Sequence, residues 1–120
     1  MSADLDGARW RLRIVHNCDN RVLRGAAIRR MIELKKDART PVAVEHQHHE
    51  KAGVDEVNVV WMSQRITVVV AFNPGQALVG IKVPLVLQIF RSAVENRVHR
   101  EIRHVVEEAG GNVSDIVQVQ

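Results

Sequence analysis

Residues 65–72 (RITVVVAF) are apolar on both sides of an extended chain. Ile66, Val68, Val70 and Phe72 fall on one face, Val69 and Ala71 on the other. A strand of this kind belongs inside a sheet whose two faces are both covered, because either face left in water forfeits the free energy of apolar burial. The segment therefore dictates a layered fold and raises the question of what covers its second face.

The remaining pattern supplies the neighbours. Residues 9–16 (RWRLRIVH) alternate as a strand with Trp10, Leu12 and Ile14 on one side. Asp19 or Asn20 offers an N-cap for a helix running to about Ala38, with Leu23, Ala27, Met31, Leu34 and Ala38 spaced by three and four. Pro41 disfavours helix at Thr40 and stops it. Residues 41–49 (PVAVEHQHH) and 56–62 (EVNVVWM) read as the second and third strands, and Ser63-Gln64 connects tightly to the fourth, 65–72. Asn73-Pro74-Gly75 breaks the pattern and suits the cap of a short helix. From Leu85 to Ala109 apolar residues recur every four positions, which predicts an amphipathic helix about 25 residues and about 37 Å long. Gly110-Gly111 ends it, and Ile116-Val117-Gln118-Val119 forms a fifth strand.

The order β-α-β-β-β-α-β predicts an α+β fold: a two-layer sandwich of a mostly antiparallel sheet of about five strands with two helices on one face. Residues 1–8 read as a flexible lead and 9–120 as a single domain. The helix-facing positions are Trp10, Leu12, Ile14, Ile66, Val68, Val70, Phe72, Val57, Val59 and Trp61. Alternation puts Arg9, Arg11, Arg13, Val60, Met62, Val69 and Ala71 on the opposite face. Apolar side chains there call for a cover, and a second copy of the chain would provide one through Val60, Met62, Val69 and Ala71.

Charge narrows the partners. Ten of the seventeen Lys and Arg residues lie in the first forty positions. Arg9, Arg11, Arg13, Arg21, Arg24, Arg29 and Arg30 form a candidate surface for RNA or another acidic partner, although a net charge of +3 is modest for general nucleic-acid affinity. No apolar run is long enough to span a bilayer, and no signal-peptide pattern opens the chain, so a cytoplasmic protein without membrane contact is expected. The single Cys18 cannot form an internal disulfide. It precedes a helix, where the dipole could lower its pKa.

Chemistry-bearing motifs are sparse. No phosphate-loop pattern occurs, and the absence of tyrosine removes tyrosine-nucleophile chemistry. His46 and His48 share a strand face, but no second cluster has ligand spacing, so neither a metal nor another cofactor is expected. His48-His49 followed by VNVVWM and RITVVVAF resembles the paired histidines before a β-hairpin in the pterin-4a-carbinolamine dehydratases. That resemblance implies a small enzyme with His48 and His49 as its acid–base pair; Glu50 stands where the family carries proline. The element order over residues 9–109 is similar to that of ribosome hibernation factors, which implies contact with ribosomal RNA. Val98, Ile102, Val106, Gly110, Val113 and Ile116 resemble the ending of the alkaline-shock proteins.

The leading expectation is a non-catalytic, self-associating binding or assembly module, of the kind that serves as a structural subunit of a larger complex. An RNA- or ribosome-binding module stands second, and the small enzyme third.

Overall fold

A computed structural model of the chain describes residues 10–36, 43–51 and 53–119. Arg9, the expected lead 1–8, Ala38 and the Thr40-Pro41 stop signal lie outside the described residues.

Six strands and two helices follow one another: β1 (Trp10–His16), α1 (Asn20–Lys36), β2 (Ala43–His49), β3 (Val54–Trp61), β4 (Gln64–Asn73), β5 (Gln76–Lys82), a 3₁₀ segment (Leu85–Phe90), α2 (Arg91–Glu108) and β6 (Val113–Val119). All strand pairs are antiparallel, in the order β2-β3-β4-β5-β1-β6. The expected α+β architecture is present, with the helices packed against the sheet.

Two expectations are corrected. The first is a missed strand, since residues 76–82 were not expected to pair. Asn73 pairs with Gln76 across Pro74-Gly75, and Gly75 has φ 80°. Pro followed by a left-handed Gly is the signature of a type II turn, so the segment reverses the chain where a helix cap was read. The second concerns the long helix, whose first six residues are 3₁₀ and whose α-helical part begins at Arg91. Three residues per turn stack Leu87 beneath Phe90. Leu87 is thereby buried, and Phe90 meets the ring of Trp61 edge-on at 5.5 Å.

Local signals explain the element ends. Asp19 caps α1: its Oδ1 accepts from the backbone N–H of Arg21 at 2.8 Å and of Val22 at 3.3 Å. At the end of α2, the N–H of Gly110 donates to the Glu107 carbonyl and that of Gly111 to the Val106 carbonyl. With Gly110 at φ 87°, this is a Schellman stop. The β3–β4 turn is less comfortable. Trp61 pairs with Gln64, which leaves Met62 and Ser63 at φ 52° and 61°. That two-residue turn demands positive φ twice and normally carries Asn-Gly.

The core lies where period two predicts it. Trp10, Leu12, Ile14, Ile66, Ala77, Val79 and Ile81 form one buried cluster with Leu87 and Val94, and Trp61, Val68, Val70 and Phe72 pack against it. A second cluster joins the helices, Leu23 and Ala26 of α1 against Val105 and Val106 of α2. The register puts Val54, Glu56, Asn58, Thr67, Val69, Ala71, Arg11 and Arg13 on the far face of the sheet. Val69 there has no exposed surface and packs with Val54 and Ala71. Around it the face is polar, with Thr67 donating to Asn58 at 2.7 Å and Asn58 to Glu56 at 2.8 Å.

Candidate functional cleft

The helices run antiparallel and share a buried cluster. Leu23 and Ala26 meet Val105 and Val106, and one turn further along the Arg30 guanidinium spans to Glu101. Met31 and Leu34 of α1, Val94 and Val98 of α2, and Val57, Val59, Val68 and Trp61 of the sheet line a half-open cavity of about 470 Å³. Its walls are almost entirely hydrocarbon. At roughly 24 cal/mol per Å³, a sealed void of about 470 Å³ would cost on the order of 11 kcal/mol, comparable to the whole stability of a domain. The cleft survives because it opens to water, and its walls remain apolar surface that the chain itself does not bury. Cavities of several hundred Å³ with apolar walls and a few polar groups are the usual form of a small-molecule site.

The polar groups of the lining are Asp55, Arg30, Arg97, Arg100 and Glu101. Arg30 grips Glu101 through two bonds, Nε to Oε2 at 2.6 Å and Nη2 to Oε1 at 3.0 Å, and also reaches Glu33 at 3.3 Å. Arg97 shares Glu101 at 3.2 Å. Burial pushes the Glu101 carboxyl up, and the bonds from Arg30 with the charges of Arg30 and Arg97 outweigh it, so the group is held below the ordinary carboxylate range. The same pair keeps Arg30 firmly protonated.

Asp55 closes the other flank. Antiparallel pairing sets His48 directly opposite Asp55, and His46 two residues away on the same face. Asp55 Oδ1 lies 2.8 Å from His46 Nε2 and 3.0 Å from His48 Nδ1, while Arg24 of α1 donates Nε to Oδ2 at 2.9 Å and Nη2 to Oδ1 at 3.0 Å. Burial raises the Asp55 carboxyl, but the bonds from Arg24, His46 and His48 win and lower it. The cluster ties α1 to the edge hairpin. Among the described residues no group of three or more His, Cys, Asp or Glu side chains is disposed to hold a metal ion.

The residues singled out from sequence are scattered. His48 and His49 are neighbours on a strand and point to opposite faces: His48 binds Asp55 on the helix side, and His49 lies 3.7 Å from Glu56 on the far side. They do not form one acid–base pair. Of the expected self-association face, Val60 and Met62 are exposed, Ala71 is half-buried and Val69 is fully buried; Met62 sits in the hairpin turn and not on the strand face. The basic surface divides as well. Arg11 and Arg13 lie on the far face of the sheet, whereas Arg21, Arg24, Arg29 and Arg30 belong to α1 on the other side. Arg24 and Arg30 are committed to Asp55 and Glu101. Cys18 is not activated: burial pushes its thiol up, and Sγ donates to the Val106 carbonyl at 3.6 Å.

Asp55 is legible from strand pairing alone. Pairing His49 with Val54 across the Gly53 turn puts His48 opposite Asp55, but a strand begun at Glu56 leaves that carboxylate in a loop. The cleft had no such signal, since its walls read as ordinary core positions. No helix of the described residues is long and apolar enough to cross a membrane. In comparisons with models of known protein families and with curated proteins, the chain matches none.

Proposed function

We propose that the chain is a non-catalytic binding module that holds a small apolar molecule in the cleft between its helices and its sheet. One observation carries this reading: about 470 Å³ of hydrocarbon-walled space that the chain does not fill itself. The neighbouring Asp55 cluster fits a structural role, because its carboxylate is held by Arg24, His46 and His48 of the same chain. The test is titration with a neutral naphthylamine reporter whose emission rises on leaving water. Saturable binding with one site per chain is expected, and Val98→Phe, which grows into the cleft, should abolish it without unfolding the protein. Failure of the wild-type chain to bind, or equal binding by a folded Val98→Phe, refutes the reading.

Self-association is a second reading, favoured by a different surface from the one expected. Leu85, Val86 and Ile89 are 72%, 61% and 84% exposed on the 3₁₀ segment, and the Trp61–Phe90 contact brings exposed Met62 to the same end. Exposed apolar patches of this kind mark contact sites. Sedimentation at high micromolar concentration should then show an oligomer that Ile89→Glu dissociates. A strictly monomeric wild-type chain eliminates it.

A further inference from the structure

We infer that the ligand of the cleft is a single-chain amphiphile with a negatively charged head, received at the rim by Arg100 and Arg97. This deepens the cleft-binding reading and rests on it. The floor decides the tail. Val57, Val59, Val68 and Val98 offer no donor or acceptor from their side chains, so a hydroxyl or amide carried there would lose its water and find no partner. The volume decides the number of chains. At roughly 30 Å³ for each water-sized group, about 470 Å³ holds on the order of fifteen such groups, enough for one alkyl chain of about a dozen carbons and its head.

The rim decides the charge. Of the two carboxylates in the lining, Asp55 is saturated by Arg24, His46 and His48. Glu101 has both oxygens engaged, by Arg30 and by Arg97. Arg30 is held by Glu101 and Glu33 and Arg97 by Glu101, so the positive charge left over at the rim is that of Arg100. Arg100, exposed and lining the cleft, has no hydrogen-bond or ion-pair partner among the described residues. Arg97 and Arg100 lie three apart on α2, on neighbouring turns of one side. A carboxylate or phosphate head meets free donors there and gains charge-assisted bonds at a wet rim. A cationic head meets the charge of Arg100 and finds Glu101 already taken.

The test is displacement of the neutral reporter from the full chain by dodecanoate, dodecyl phosphate, dodecanol and dodecyltrimethylammonium, each below its micelle concentration. At least one anion should displace it about tenfold more tightly than dodecanol, the scale of one charge-assisted bond, and the ammonium should be weakest. Whichever anion binds tighter names the head. Arg100→Gln should cost the anion about fivefold or more and leave dodecanol unchanged, with Arg100→Lys retaining part of the preference. Equal affinities for anion and alcohol, or an equal loss of both in Arg100→Gln, overturn the inference while the cleft reading stands. If the reporter itself does not bind, the cleft reading falls and takes this inference with it.

Discussion

His16 shows how one side chain couples the fold to pH. Its ring is buried at the end of β1, and Nδ1 accepts from the backbone N–H of Cys18 at 3.1 Å. Burial outweighs a backbone hydrogen bond with Gln76 and pushes its pKa below the ordinary histidine value. An unfolded histidine titrates at about 6.5, so below that pH the unfolded chain takes up a proton that the native one resists. The stability tied to His16 is therefore complete above about pH 6.5 and is lost as the pH falls toward the lower native value. Asp55 and Glu101 act in a separate window. Their native values lie below the ordinary carboxylate range, so their contribution is present above about pH 4 and is lost on further acidification. The expected result is a denaturant midpoint that drops between pH 7 and pH 5 less steeply in His16→Asn than in the wild-type chain. Identical slopes would contradict it.

Among the elements, the β3–β4 hairpin carries a local conflict. Met62 and Ser63 occupy left-handed positions that ordinary L-residues enter at a cost of about 1 kcal/mol each. Replacing the pair by Asn-Gly keeps the two-residue turn and removes the strain. Met62→Asn with Ser63→Gly should raise stability by about 1–2 kcal/mol, read as a higher thermal midpoint; no gain would mean that tertiary contacts impose the turn at no cost. The elements also show what was legible. Period two located β1, β3 and β4 and assigned their helix-facing residues correctly, and Asp19 and Gly110-Gly111 marked helix ends. The strand β5 escaped because Pro74-Gly75 is equally good punctuation for a turn and for a helix start. The four-residue repeat ran through Leu85–Phe90 because it cannot distinguish a 3₁₀ segment from an α-helix over six residues.

The described residues form a six-stranded sheet carrying two helices, with a half-open cavity between the helices and the sheet. Filling the gap tests both its energetics and its use. Val98→Phe adds buried apolar area without touching the Asp55 or Glu101 networks, and should stabilise the chain by about 1 kcal/mol while excluding the reporter. A destabilised Val98→Phe would mean that the cleft has no room for the ring. The sequence by itself determined which side chains of β1, β3 and β4 face the helices and where α1 starts and α2 stops, because strand and helix periods and caps are properties of local backbone geometry. It also determined the double apolarity of β4, whose far side proves to be capped around Val69 by the chain itself. Only the tertiary structure decided that Arg24, His46 and His48 converge on Asp55 and that a cleft lies between the helices. Those outcomes depend on strand register and on how the two helices seat against each other and the sheet. Register and axis geometry are set by contacts between residues distant in the chain, and no local pattern encodes them.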